Sequence, residues 1–320
     1  ALPAFEEVRL SNGVRLLFQE DNRLPKVHLR AALLGGPLYE TPTTRGSTQL
    51  LSTLLTRDTQ KRRAAEVAET IESVGGTFAE FSGNNSFGLG VEVLRQDLDI
   101  GLEILTEALL QPAFDPDTFA REREAQIAEI EEALDEIVLY GRYHLRERFF
   151  GKHPLNRNAK GVITHLRAMK IEHLQALYDR LMVGPNLVVA VCGDFSREEV
   201  ISQFESRLAP LSSPSLAPIQ NDEIFPAQTG RELLTLPREQ AVVFSAFPGP
   251  AVTDEDSLAA ELLDESLSGM SSRLFQRVRE EKGMAYFVSA ARTIGLDAGM
   301  FYLYAGTHPD QVEAVLEEFE

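Results

Sequence analysis

One cysteine in 320 residues, Cys192, leaves no partner for an internal disulfide and no cysteine cluster for zinc or iron–sulfur. On its apolar strand it reads as a small buried hydrophobe. Histidine is equally sparse as a source of metal ligands. His28, His144, His153, His165, His173 and His308 include no two residues three or four apart, the spacing that sets two imidazoles on one helical face. Positive charge is also short: 31 Lys and Arg stand against 49 Asp and Glu, for a net charge of −18. Such a balance repels phosphate backbones and anionic head groups, so neither nucleic acid nor a membrane surface is an expected partner. The short basic cluster Arg57, Lys61, Arg62 and Arg63 reads as a solvated, ion-paired face. The longest wholly apolar run, Leu187 to Cys192, falls far below the ~20 residues that cross a bilayer. Around Gly75-Gly76 and Gly83 there is no G-x-x-x-x-G-K-[ST] phosphate loop. No basic-then-apolar leader follows Ala1, so a targeting segment is expected to be absent or already removed. The compartment stays open, cytoplasmic or periplasmic in a bacterium.

What the chain does hold is an ordinary globular composition, 43% hydrophobic and 25% charged, with length for about two domains. Val8 to Leu10 and Val14 to Phe18 read as strands around the hairpin signal Ser11-Asn12-Gly13. Val27 to Leu34 is a further strand, closed by Gly35-Gly36-Pro37. Leu50, Leu51, Leu54 and Leu55 make one apolar stripe of a core helix. A helix over Lys61 to Val74 stops at Gly75-Gly76. Strands Phe78 to Phe81 and Phe87 to Leu94 precede a helix over Asp97 to Leu110. Asp115 as N-cap and Pro116 at the first helical position then open a long helix to about Leu139. Helices Ile171 to Leu181 and Arg197 to Leu208 flank the strand Leu187 to Cys192. Pro210 to Pro218 holds neither period and reads as a linker.

Past that linker the pattern begins again. Strand Ala241 to Phe247, the turn Pro248-Gly249-Pro250 and a helix with Leu262, Leu263 and Leu267 echo Val27 to Leu34, Gly35-Gly36-Pro37 and the Leu50 stripe, about 212 residues on. The fold class expected is α+β, in two repeated domains, each a mostly antiparallel sheet packed with helices. The boundaries expected are 1–212 for the first domain, 213–228 for a linker and 229–320 for the second. By the repeat, the second copy is expected to stop about 100 residues short of the first and to show uncovered apolar surface.

Several local motifs, in one order along most of the chain, carry a family likeness. They are Leu10-Ser11-Asn12-Gly13; Gly35-Gly36 with Glu40 and Gly46; Glu122-Arg123; His153-Pro154 to Gly161; Tyr178 with Pro185-Asn186; Gly193-Asp194; Ser271 to Phe275 with Arg279; and Lys282-Gly283 with Ala285-Tyr286. The sequence thereby resembles the pitrilysin/insulinase family of zinc peptidases, most closely its shorter bacterial and mitochondrial-processing-peptidase-like members. The resemblance implies a LuxS/processing-peptidase-like metalloenzyme fold. In active members a helix carries H-x-x-E-H, two histidines binding zinc and the glutamate activating water.

Counted from Gly46, those five positions are Gln49-Leu50-Leu51-Ser52-Thr53. A carboxamide and two hydroxyls are poor zinc donors, and the general base is missing. No metal or other cofactor is expected on this chain. The family's third ligand falls by position on Glu129, which shares a helical face with Glu122 and Gln126. Among Glu124, Glu131, Glu132, Asp135 and Glu136, both Glu122 and Glu129 read as relic or structural carboxylates on a solvated face. The resemblance assigns Arg279 and Tyr286, seven residues apart, to the substrate carbonyl and its developing oxyanion. Their local alternatives are an arginine paired with neighbouring glutamates and a tyrosine in the core. Strand Phe78 to Phe81 corresponds, by the same likeness, to the edge that accepts a substrate peptide as an added strand.

Loss of the zinc motif with retention of Arg279 and Tyr286 is the pattern of one half of a divided enzyme. The first expectation is the non-catalytic subunit of a heterodimeric zinc metalloendopeptidase, acting on peptide with a homologous partner that carries H-x-x-E-H and the zinc. The second is a structural or peptide-binding homologue with no catalytic partner. A third is an independent peptidase built on Glu129 and other ligands.

Overall fold

The computed structural model describes residues 5–216 and 225–320. Residues 217–224, which include the end of the Pro210 to Pro218 linker and the middle of the 213–228 segment, lie outside the described residues. The chain divides into two compact units: residues 1–129 with 158–219, and residues 130–157 with 220–320. The first division falls at Glu129, inside a helix. Residues 130–157, which sequence order groups with the first domain, therefore belong to the second unit.

The first unit has β1 (Glu6–Arg9), β2 (Arg15–Glu20), β3 (Lys26–Leu34), α1 (Ser47–Leu55), α2 (Ala64–Glu72), β4 (Thr77–Ser82), β5 (Ser86–Leu94) and α3 (Leu98–Leu110). It takes most of α4 (Pro116–Asp135) and, after the excursion of α5 (Ile137–Phe150) into the other unit, α6 (Ile163–Ala168), α7 (Ile171–Leu181), β6 (Leu187–Gly193) and α8 (Arg197–Arg207). Its six strands run β1-β2-β6-β3-β5-β4, all antiparallel neighbours except the parallel pair β2 and β6. Strict alternation along β3 buries Val27, Leu29, Ala31 and Leu33, the period-two pattern of a sheet covered on one face. The Leu50 stripe of α1 is buried, and α1 packs on β4, β5 and α7.

Two elements of the first unit depart from the sequence reading. The long helix opens as expected, with the Asp115 carboxylate accepting the Asp117 and Thr118 N–H groups, but ends at Asp135 and not near Leu139. Glu136 breaks it because its side chain accepts the N–H groups of Val138 and Leu139 and so caps a new helix, α5. Cys192 is half-buried and not fully so; burial still raises its thiol pKa.

The second unit holds α5, β7 (Ala241–Gly249), α9 (Ser257–Leu267), α10 (Arg273–Phe275) running directly into a π-helical stretch (Gln276–Glu281), β8 (Ala285–Ile294), β9 (Gly299–Thr307) and α11 (Val312–Phe319). Its sheet order, β7-β9-β8, matches β3-β5-β4 of the first unit. The elements β3, α1, α2, β4, β5 and α3 recur as β7, α9, α10 with its π stretch, β8, β9 and α11, each pair about 210 residues apart. One face of this sheet packs with Leu274, Phe275, Val278 and Val315. The other packs with Phe149 and Phe150 of α5. Helix α9 buries no residue, and its Leu258 and Leu262 are exposed.

Candidate functional site

Helix α1 is held by its N-terminus. Gly46 takes φ +95°, and a Cβ there would stand 2.5 Å from the Lys160 carbonyl oxygen, so only glycine fits. Beside it the buried Glu40 carboxylate accepts the N–H groups of Gly46 (2.9 Å) and Thr48 (2.8 Å). Burial pushes the Glu40 pKa up against the pull of those hydrogen bonds. Gln126 of α4 donates to the carbonyls of Gly46 (3.0 Å) and Lys160 (2.6 Å), tying the two helices at the same point. Glu40, Gly46 and Gln126 thus fix where α1 begins, and α1 carries the positions of the zinc motif.

Those positions are committed to other work. The buried Ser52 hydroxyl donates to the Phe81 carbonyl (3.0 Å) and has a longer contact to that of Gly88 (3.3 Å), fastening α1 to β4 and β5. The Thr53 hydroxyl contacts the Gln49 carbonyl one turn back (3.2 Å) and the Glu80 carboxylate (3.4 Å). Thr56 also reaches Glu80 (3.3 Å). Gln49 is half-buried on the same helix. Glu122 forms an ion pair with Arg57 (3.2 Å) and a second with Arg121. Burial alone raises the Glu122 pKa, but the two arginines outweigh it and the carboxyl lies below its ordinary range. Glu129 is exposed and pairs with Lys160 at 2.7 Å. Among the described residues, no three His, Cys, Asp or Glu side chains converge as a metal site. The donor set around α1 therefore does not fit zinc: two hydroxyls spend their protons on carbonyl and carboxylate oxygens, and the carboxylates face arginines and a lysine.

Glu80 is the residue that sequence reasoning missed here. It lies on β4, the end strand of its sheet among the described residues, and its carboxylate meets the hydroxyls of Thr53 in α1 and of Thr56 at the helix's C-terminal end. Only strand alternation over Thr77 to Ser82 could have signalled that it faces the helix.

In the second unit, Arg279 sits in the π-helical stretch and Tyr286 at the start of β8. Gly283, at φ +62°, turns the chain between them. Among the described residues Arg279 has one loose ion pair, to Glu280 at 3.8 Å, and its guanidinium carbon lies 4.9 Å from the centre of the Phe275 ring. Tyr286 is 58% exposed and so is no core residue. It shares the wall of a cleft of about 700 Å³ with Arg238, His308 and Pro309. The His153-Pro154 motif proves to be structural. The His153 imidazole is wholly buried, accepts the Leu155 N–H at Nδ1 (3.0 Å) and meets Asp297 at Nε2 (3.2 Å).

Two family models match in succession along the chain, divided between residues 161 and 168. Residues 16–161 match the family described as insulinase (peptidase family M16), and residues 168–320 match the peptidase M16 inactive domain. An uncharacterized zinc protease of Streptomyces coelicolor is 32% identical over 96% of this chain and 69% of its own length. One from Rickettsia felis is 26% identical over 99% of this chain and 76% of its own length. Among solved structures, a peptidase M16 inactive domain from Pseudomonas fluorescens superposes with a TM-score of 0.88 at 22% identity, covering 99% of this chain and 79% of that one. A protease from Helicobacter pylori gives 0.90 at 20% identity, covering 99% and 78%. The chain belongs to the insulinase family, peptidase family M16. It is an α+β member of that peptidase family whose zinc motif is replaced residue by residue.

Proposed function

We propose that this chain is the non-catalytic subunit of a two-chain zinc endopeptidase, pairing with a homologous subunit that carries H-x-x-E-H. The observation that carries the reading is the state of the motif helix: Ser52 and Thr53 are bound into the fold as hydroxyl donors, while Arg279 and Tyr286 stay open to solvent. A family in which some relatives are named zinc proteases and a structural neighbour an inactive domain fits a division of labour between chains. Zinc in the partner supplies the Lewis acid and the activated water. This chain supplies hydrogen-bond donors: the Arg279 guanidinium and the Tyr286 hydroxyl meet the peptide carbonyl oxygen as negative charge grows on it. The outer edge of β4, unpaired among the described residues, offers main-chain groups to an extended peptide.

The test is a peptidase assay of this chain alone, of its nearest H-x-x-E-H relative alone, and of the mixture, with zinc measured on each after dialysis. Activity restricted to the mixture, with zinc on the relative only, is the expected result. A mixture no faster than the relative alone turns the reading to the structural, peptide-binding homologue. Stoichiometric, chelator-sensitive zinc on this chain near Glu129 would overturn both.

A further inference from the structure

The two copies of the repeat differ at the very places that carry Arg279 and Tyr286. In the first copy, α2 is a regular nine-residue α-helix that turns at Gly75 (φ +65°) into β4. Its counterpart also spans nine residues, Arg273 to Glu281, and turns at Gly283 (φ +62°) into β8, yet its last six residues are π-wound. The Lys282 N–H donates to the Arg277 carbonyl five residues back (3.2 Å). Nothing crowds the Cβ position of either glycine, so both serve only the positive φ of the turn. Equal length, equal turn and equal place in the fold exclude topology as the cause of the π winding, which is rare and concentrates at functional sites.

The following strands show the same contrast. β4 pairs with β5 without interruption from Thr77 to Ser82. β8 carries a bulge against β9 between Ala285 and Phe287, with Tyr286 as the extra residue. Val288 and Ala290 point into the core, and unbroken alternation would send Tyr286 the same way, opposite Thr307. The bulge gives that interior place to Ala285 and turns the phenol outward.

We infer that Phe275 is a positioning residue for Arg279, its ring and the π-wound turn together presenting the guanidinium to a peptide carbonyl. The inference rests on the reading of Arg279 under Proposed function. Phe275 is itself rigid: its side chain is 9% exposed in the core, and its N–H donates to the Ser272 hydroxyl at 3.1 Å. A ring face restrains the guanidinium plane without occupying its N–H donors, whereas a bidentate carboxylate would consume two of them. Arg279 thus reaches substrate oriented and with its donors unspent.

The experiment compares R279A, F275L and F275Y in the reconstituted two-chain enzyme by kcat and KM, with melting midpoints as the check on folding. The isolated chain, labelled with ¹⁵N, reports the Arg279 Nε–H resonance. R279A is expected to lower kcat by about 10²–10³-fold. F275L is expected to lower kcat by about tenfold or more with KM within about twofold, and to lose the ring-current shift of the Arg279 resonance. F275Y, which keeps the ring, is expected to restore both. If F275L melts far below the wild type, Phe275→Met takes its place in the same comparison. A slow R279A with F275L at the wild-type rate and an unmoved resonance overturns this inference alone. R279A at the wild-type rate removes the assignment of Arg279 and this inference with it.

Discussion

Glu122 shows how a residue at a family site acquires a different occupation. Its carboxylate faces Arg57 and Arg121, and its pKa lies below the ordinary 4.5. The folded form therefore holds fewer protons than the unfolded chain as pH falls through that range. The stabilisation is fully present above about pH 4.5 and is lost as the pH drops below it. Solvent screening limits its worth at pH 7 to about 0.2–1 kcal/mol. Glu122→Gln should cost that much at pH 7 and progressively less as the pH falls below 4.5, as urea unfolding at pH 7 and at the lowest pH where the fold persists will read. An equal cost at both would mean that Glu122 acts through packing and not through charge. At this scale the sequence was informative by substitution: Gln49, Ser52 and Thr53 are visible as non-ligands without any structure. Glu80 was not, because its role depends on which face of a strand meets α1. The loose environment of Arg279 was also hidden, since Glu280 and Glu281 beside it in sequence suggest a closed ion pair, whereas Glu280 stands 3.8 Å away.

Among the elements left unread, with α6, β9 and α11, α5 is the most instructive. Its apolar residues follow no helical period, because the segment Ile137 to Phe150 mixes Arg142, Arg146 and Arg148 with aromatics around the whole circumference. Arg146 is buried and spends its guanidinium on the carbonyls of Leu155 (3.0 Å) and Arg157 (2.8 Å). Desolvation lowers its pKa to about 10. Arg142 lies over the rings of Tyr302 and Tyr304. Arginines used this way read as surface in a sequence and as core in a structure. The helix also needs Gly141, where a Cβ would stand 2.5 Å from a ring carbon of Phe244. Phe244 is stacked on Tyr304, so it has little freedom to withdraw. Gly141→Ala gains up to about 1 kcal/mol of helix propensity and loses about 1–3 kcal/mol to overpacking. The expected outcome is net destabilisation and a lower melting midpoint, read by calorimetry; a raised midpoint would show that the ring moves aside freely. The elements that were legible, such as α1 and α7, are those with one buried stripe, and β3 declared itself by alternation.

For the molecule as a whole, the repeat was readable and the partition was not. Echoed motifs gave the recurrence of β3 and α1 as β7 and α9, and the structure extends it to α2, β4, β5 and α3. The motifs could not assign residues 130–157, because a segment that leaves one unit and packs in the other has no signature in linear order. A fragment cut where the sequence suggests, Thr229 to Glu320, lacks α5 and exposes Met300, Tyr302 and Phe244 on the sheet face that Phe149 and Phe150 cover. It should show no cooperative thermal transition by circular dichroism, while the same fragment with residues 130–157 joined through a flexible linker should regain one. A sharp transition in the shorter fragment would mean that α5 is dispensable to this core.

The course of the backbone through the two units also sets an order of events on the ribosome. Glu129 and Asn158 bracket an excursion whose packing partners, β7 and β9, are encoded far downstream. When Phe149 and Phe150 leave the exit tunnel, the strands that cover them will follow only about 100 to 150 residues later, roughly 5–30 s at ~5–20 residues per second. Meanwhile the six-stranded sheet of the first unit becomes complete with β6, well before β7 is translated. The first unit can therefore complete its sheet while Phe149 and Phe150 still lack the strands that cover them, and that interval is when the nascent chain most needs a chaperone.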